Sequence, residues 1–530
     1  MKTLIHIVWF KRDLRVQDHV ALFEASKQGA VMPIFCWDTT VWTGGDYATQ
    51  HKMFVKECLE SLQRHLQSLG LSLLEFHNGI IKTLNHIKNH YNLGSLHSHE
   101  ETGNNSSYQL DKLVADWCKE SNVNWLEYPQ NGVVRRLKCR DLSATIWEKR
   151  MTAQQVNLQS QATMATLTTG FIFDSAADVS YDQYDQTDKP FRQKGGREEA
   201  IKILHTFLNG RASSYRSGIS SPLSSEFTGS RLSPYLTWGV LSMREVLQKL
   251  RQQKILIRSN QSIYPKGLLA GLVGFESRLH WHCHFIQKLE SEPAIEYQNL
   301  HPAFNHLRDE QYSSTAQQAR LVAWCNGQTG WPMVDACMAM LRQTGWINFR
   351  MRAMIMSTAS YLLWLHWRET GLHLAREFLD YEPGIHWSQV QMQSGTTGIN
   401  TLRIYNPVKQ AKDHDPEGTF VRRWLPALRS VPNTWVFQPW LMPESLQADY
   451  ECRIGIDYPT PIVDIDQALK LARERFSQLK FNPQHQLDTE RIIKKHASRE
   501  TNTQKHKSNI KKSSEKKTSI NPSERQKSLF

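Results

Sequence analysis

Between Gly345 and Pro407 two arginines of one helical stretch, Arg350 and Arg352, precede two closely spaced carboxylates, Asp380 and Glu382, in a segment dense in tryptophan. An ordinary core needs apolar residues at helical spacing, and Met351, Met354, Ile355, Leu362 and Leu363 supply them; it has no use for guanidinium groups in the same helix. Buried arginines demand partners. The two acids are natural candidates, and an anionic aromatic cofactor is another. Upstream, Ser230, Arg231, Leu232 and Ser233 precede Pro234 at what reads as a helix start. Hydroxyls and free N–H groups there can hold a phosphate, although taken alone the pattern is more often a helix cap. At 280–284 the run HWHCH sets His280 and His284 one helical turn apart, a metal-ligand spacing, but no carboxylate or cysteine cluster accompanies it and no metal site is expected.

These residues belong to a chain of 530, long enough for two sizeable domains and a tail. No apolar run reaches transmembrane length. The apolar start is too short for a signal peptide, being interrupted by His6 and closed by Lys11 and Arg12, so a cytoplasmic location is expected. Eight scattered cysteines without a CxxC pair read as reduced, buried thiols rather than a disulfide or metal framework. A net charge of +13 favours a polyanionic partner. From Gln486 to Phe530 there are 12 Lys+Arg against 5 Asp+Glu, so just over half of that charge sits in the tail and the folded part is mildly basic.

Short β-rich runs (HIVWF, VMPIFCW, LSLLEF, NVNWLEY) alternate with amphipathic helical stretches up to about Tyr128, which predicts a doubly wound parallel α/β domain over 1–135. The first strand runs directly into KRDLRVQD, placing charged residues at the carboxyl end of a strand, where such folds bind ligands. An interdomain linker is expected over 136–197, its later part rich in Gln, Thr, Ser, Asp and Gly. A mainly helical domain follows at 198–481, with periodic runs such as SMREVLQKLRQQ and QALKLARERFSQL. From 482 to 530 the Lys/Ser/Asn/Gln/Thr composition predicts a disordered basic tail.

Four blocks occur in a family's order: VWFKRDLRVQD at 8–18, GSRLSPYLTWG at 229–239, GQTGWPMVDACMAML at 327–341, and the segment from Gly345 to Pro407. On these the chain resembles the photolyase/cryptochrome family over a unit of roughly 480 residues. The resemblance implies an all-α FAD-binding domain behind the α/β domain, which in the family often carries an antenna chromophore of folate or deazaflavin type. It implies that Ser230, Arg231, Leu232 and Ser233 hold the FAD phosphates, with Tyr215 near a cofactor-contacting position. Arg352 and Asp380 would pair beside the flavin ring, and Glu382 takes the place of a second acid, usually aspartate. His386 falls where a residue faces flavin N5, and an imidazole there would titrate near neutrality and control flavin protonation. His282 aligns with an arginine near the cofactor.

The activity implied is light-driven repair of pyrimidine dimers in DNA by electron transfer from excited reduced flavin, with Trp281 as the surface on which the flipped-out dimer stacks. Three neighbours depart from the pattern: Arg278 stands for a lesion-binding carboxylate or amide, Phe349 beside Arg350 for an asparagine, and Ala353 for a methionine. The electron relay departs too. Trp367 matches its middle member, whereas the flavin-proximal position is Val390, and Trp364, Trp387 and Tyr312 are candidates for a substitute path. The departures support two alternatives: a cryptochrome-type blue-light receptor without repair activity, and a flavoprotein that binds DNA without photochemistry. The chain ends in QKSLF, which resembles the sliding-clamp-binding motif of bacterial repair proteins through Gln526, Leu529 and Phe530, with Lys527 where leucine is common.

Overall fold

The apolar run near the N-terminus becomes β1 (Leu4–Phe10), the middle strand of a five-stranded sheet completed by β2 (Ala30–Cys36), β3 (Leu74–Phe76), β4 (Asn92–His99) and β5 (Asn124–Tyr128). The computed structural model describes residues 4–158, 163–164, 187–308, 314–400, 402–479 and 483–496. Strand order is β3-β2-β1-β4-β5 and every pairing is parallel. From Ile5 onward β1 is buried on both faces, the reason its sequence reads as a continuous apolar run rather than an alternation. The chain winds outward from β1 in both directions, so the switch point lies between β1 and β4, and the crevice at their carboxyl ends is the natural ligand position of the fold.

The two faces of the sheet are covered differently. Ile5, Ile7 and Trp9 pack with Met32 and Ile34 against the helices Ile80–His90 and Asn105–Ser121. Val8, Phe10 and Phe35 face the other way, into a core they share with Phe54 of helix Thr49–Ser68 and with Phe207, Trp238, Leu272 and Tyr381 of the C-terminal half. The sheet and the helical half therefore bury apolar surface against each other. Another core, around Trp324, Trp331, Met351, Met354, Trp367 and Trp387, is built from helical residues.

The helices that carry the site are Leu268–Ser291, Phe349–Ser357, Trp367–Glu377 and Pro383–Ser394. Gly384 sits where the last of these crosses the first: a Cβ there would lie 2.5 Å from Ile286 Cα, so only glycine permits the approach. Within the expected connector, Ser143–Thr152 is helical, while 159–162 and 165–186 lie outside the described residues. The expectation of a disordered tail from 482 is corrected in its first part: Pro483–His496 is a helix. Its few apolar residues suffice because Ile492 and His496 are buried, Thr489 bonds the His301 ring at 3.0 Å, and Lys495 pairs with Glu292. Residues 497–530, with Gln526, Leu529 and Phe530, lie outside the described residues. Among the described residues no helix is long and apolar enough to cross a membrane.

Candidate functional site

The KRDLR segment leaves β1 and turns into the switch-point crevice, where each of its charges meets a partner. Lys11 Nζ lies 3.0 Å from Asp111. Arg12 reaches Glu101, just past β4, at 3.3 Å and Glu382, in the helical half, at 3.0 Å. Asp13 accepts hydrogen bonds from His19 at 3.0 Å and His99 at 2.7 Å. Arg15 donates to the Gly239 carbonyl at 2.8 Å, and a Cβ on Gly239, whose φ is +60°, would sit 2.2 Å from the Arg12 carbonyl oxygen. These pairs close the crevice to a cavity of about 20 Å³, room for one water, walled by Arg12, His99, Glu101, Thr237, His282 and Glu382. The ligand atoms of Asp13, His19 and His99 lie within 4.8 Å of one another and are the one group among the described residues that could hold a metal ion. His19 Nδ1 accepts the Leu22 N–H, so His19 Nε2 carries the proton given to Asp13; His99 bonds Asp13 through Nδ1 and leaves its Nε2 buried without a partner.

Arg12 was visible in the sequence only as one charge among several; its partner Glu382 is 370 residues away. Burial pushes the Glu382 carboxyl up, and the Arg12 guanidinium works against that shift. Arg12 holds Oε2 of Glu382, while Oε1 is buried without a partner. Burial, with the Arg12 charge, lowers His282 to about 4, so its imidazole is neutral, and its Nδ1 is buried and unpartnered as well.

A second pair lines the helical side. Arg352 grips Asp380 through both guanidinium nitrogens, at 2.9 and 3.1 Å, while its Nε donates to the Ile347 carbonyl. Burial alone would raise the Asp380 carboxyl, but the Arg352 charge and hydrogen bonds from Arg352 and Ser233 carry it below the usual range. The loop holding Ser233 reaches this pair because Arg231 adopts φ +60°, which turns the chain before the short helix Ser233–Thr237. Leu232 is fully buried, and Ser230 Oγ lies 3.5 Å from its amide. The Arg231 guanidinium lies 3.8 Å over the Trp346 ring with its Nη1 buried and unpartnered, and burial lowers it to about 10. Asn348 donates to the carbonyls of Ile219 and Ser220 and leaves its Oδ1 buried and unpartnered.

His386 differs from its expected behaviour. Its Nε2 donates to the Gly371 carbonyl at 2.9 Å, and burial lowers the imidazole to about 3, so it is neutral across the physiological range rather than titrating near neutrality. Its ring meets Tyr381 and Trp387 edge-on at 5.1 and 4.8 Å. Trp387 donates to the Tyr381 hydroxyl at 3.1 Å, which in turn donates to Asp46 of the N-terminal half at 2.7 Å. Trp387 also meets Trp367 at 6.0 Å, so these two of the expected relay candidates adjoin. Trp364 does not join them: its ring neighbour is Phe476, 6.1 Å away, and Tyr312 lies outside the described residues.

The helix Leu268–Ser291 presents the remaining candidates. Trp281 is half-buried, flanked by His284 at 5.0 Å and Phe285 at 5.6 Å, on the same helix that gives His282 to the crevice. The Arg278 guanidinium lies near the Tyr215 hydroxyl and works against the rise that burial gives it. His280 stacks on Trp147 at 3.5 Å while His284 Nδ1 faces Arg140, so the two histidines engage different partners. Phe349 is 41% exposed, and the Arg350 charge, with burial, lowers His414, whereas it is Arg352 that pairs with Asp380.

A family model described as DNA photolyase matches residues 6–141, and one described as the FAD binding domain of DNA photolyase matches residues 275–478, together well over half of the chain. The chain belongs to the photolyase/cryptochrome family. It is 32% identical over 287 residues to a deoxyribodipyrimidine photo-lyase of Alkalihalophilus pseudofirmus, covering 53% of this chain and 55% of that protein. It is 26% identical over 501 residues to cryptochrome-2 of Arabidopsis thaliana, covering 89% of this chain and 78% of that one. In fold it is similar to a bacterial class III photolyase from Agrobacterium tumefaciens, with a TM-score of 0.75, 21% identity, and 90% and 98% of the two chains covered. The helical half is thus an FAD-binding domain, and its residues fit the group. Arg231 Nη1, Asn348 Oδ1, His282 Nδ1 and Glu382 Oε1 are buried polar atoms without partners, cations and acceptors of the kind that phosphates and a flavin ring satisfy. When bound, FAD supplies a light-absorbing ring able to exchange single electrons.

Proposed function

We propose that this member of the photolyase/cryptochrome family repairs pyrimidine dimers in DNA with light. The observation that carries the reading is that one helix, Leu268–Ser291, serves both surfaces: Trp281 stands half-exposed on it while His282, the next residue, is turned into the cavity beside Glu382. A base stacked on Trp281 is then held one helical residue from the cofactor wall. Arg231 would hold the phosphates of FAD, and Asp380 and Glu382 its ring; Arg352 keeps Asp380 ionised, while Arg12 holds Glu382 in position. Neutral His386 and Gly371 fix Trp387 against Trp367, a pair suited to pass an electron. A Cβ at Gly371 would come within 2.6 Å of the Trp387 ring. The net charge of +13 supports a DNA partner, and the QKSLF terminus supports recruitment by the replication sliding clamp.

The test is blue-light illumination of the reduced holoprotein with dimer-containing single- and double-stranded oligonucleotides. Restoration of the bases is expected. No restoration, with damaged DNA bound no more tightly than undamaged, would favour the receptor reading. That second reading draws on Phe349, whose exposed apolar ring replaces a polar lesion contact, and on the bond from Tyr381 to Asp46, which ties the indole pair to the other half of the molecule. For the tail, removal of Gln526–Phe530 should abolish clamp binding and leave FAD content unchanged.

A further inference from the structure

On the helical half, away from the crevice, the π-helical turn Thr358–Leu362, capped by Leu363, is followed by Trp364 where a glycine would more readily turn the chain. The Leu363 N–H donates to the Thr358 carbonyl and the Leu365 N–H to that of Ala359, which forces Trp364 to φ +57°, a left-handed conformation where glycine or asparagine is usual. The strain puts an indole into the wall of an open groove of about 550 Å³, a volume within the range of small-molecule sites. Arg320, Arg475 and His306 line the groove with the side-chain amides of Asn305 and Gln478, and no carboxylate lines it among the described residues.

Two cations flank the indole. Arg308 is buried behind the indole, anchored to the carbonyls of Ser360 and Ser394, with its guanidinium 4.8 Å from the ring. Arg475, on the helix Ile465–Ser477, is exposed and lays its guanidinium 4.3 Å from the same ring. Neither Arg475 nor Arg320 is ion-paired to a described carboxylate. An aromatic face with an exposed cation over it and a second cation nearby suits a flat anionic ligand. The ring of such a ligand displaces the guanidinium from the indole, and its charge then holds that guanidinium and Arg320.

We propose that the Trp364 groove binds a planar aromatic ring bearing a phosphate, with the ring stacked on Trp364 and the phosphate held by Arg320 and Arg475. This chemistry is offered by a free mononucleotide and by an unpaired nucleotide of single-stranded DNA. The site is distinct from the FAD-binding residues and does not depend on the repair reading.

Flavin mononucleotide serves as the probe, because its own fluorescence is quenched when it stacks on an indole. Titrated with the full-length, FAD-loaded protein, it should show saturable quenching that weakens as salt is raised. Arg475→Ala, which removes an exposed side chain from the groove, should weaken binding about tenfold or more, and Trp364→Leu should abolish the quenching. FAD content and circular dichroism should match the parent protein in both variants. Competition separates the sources: displacement of the probe by an oligothymidylate at lower nucleotide concentration than by AMP assigns the groove to single-stranded DNA, and the reverse order assigns it to a free mononucleotide. No saturable quenching up to about 1 mM would overturn the proposal, as would equal binding by Arg475→Ala, the result expected if the probe merely entered the flavin site.

Discussion

The crevice at the carboxyl end of β1 and the groove beside Trp364 use the same residue types, arginine and histidine, in opposite arrangements. In the crevice each guanidinium is shared among carboxylates or carbonyls contributed by both halves, and the remaining space holds about one water. In the groove two guanidinium groups have no carboxylate partner among the described residues, and the space is some 550 Å³. The position at which a doubly wound sheet usually receives a ligand has thus become a clamp, while the open groove on the helical half holds positive charge that no described carboxylate pairs. Charge in the first place contributes by being neutralised; in the second it is available to a partner. A list of charged residues alone does not distinguish the two.

The largest effect that would break this contrast is on Arg12. Arg12→Ala leaves Glu101 and Glu382 buried without their shared cation and should destabilise the fold by about 3–5 kcal/mol in urea unfolding. Arg475→Ala, in the groove, should leave the unfolding free energy within about 0.5 kcal/mol of the parent. Equal responses would erase the distinction.

The next effect is on acid stability. The buried imidazoles of His51, His282 and His373 are lowered by burial to about 4, and those of His99 and His386 to about 3, all from 6.5. Near pH 6.5 the unfolded chain takes up protons on these residues that the folded chain refuses, so stability falls as pH drops through this window and levels off once the folded imidazoles protonate. Asp380, held below the usual range, acts in the same direction; Glu382, raised by burial, opposes it. Unfolding free energies measured between pH 7 and pH 4 should show the decline, and His386→Gln should flatten it. A flat profile in the parent protein would contradict the burial of these rings.

Smaller effects sharpen the comparison within the site. Trp281→Ala should retain FAD and lose about 1–3 kcal/mol of affinity for dimer-containing DNA, the range for one base-stacking contact, as read from equilibrium binding. Trp387→Phe removes the indole N–H donated to Tyr381 and should cost about 1 kcal/mol of stability while slowing light-driven flavin reduction. Reduction at the parent rate would place the electron path elsewhere.

The sheet was legible because strands buried on both faces, such as Leu4–Phe10 and Ala30–Cys36, are written as unbroken apolar runs, and the long helices because their periodicity persists over several turns. Pro483–His496 was not legible, since its burial falls on only Ile492 and His496 and its anchors are polar groups contributed by Glu292 and His301. Within the site, the pairing of Arg352 with Asp380 could be expected from family motifs lying in one segment. The bridge from Arg12 to Glu382 could not, because neither residue carries a local signal of the other. The state of His386 was also hidden: its type suggests a titrating group, but full burial and the Gly371 carbonyl decide otherwise. The strained indole of Trp364 could not be found in one sequence, where a left-handed tryptophan looks like any other.

The core shared by Val8, Phe10 and Phe35 with Phe207, Leu272 and Tyr381 also limits how this molecule can be rearranged by recombination. A chimera that joins this sheet to the helical portion of a relative would present mismatched knobs and hollows across an interior seam, and Arg12 would face whatever side chain the donor carries at position 382. Exchange of halves would therefore require compensating substitutions on both sides of the joint, so the two portions are expected to diversify as a matched pair rather than as interchangeable modules.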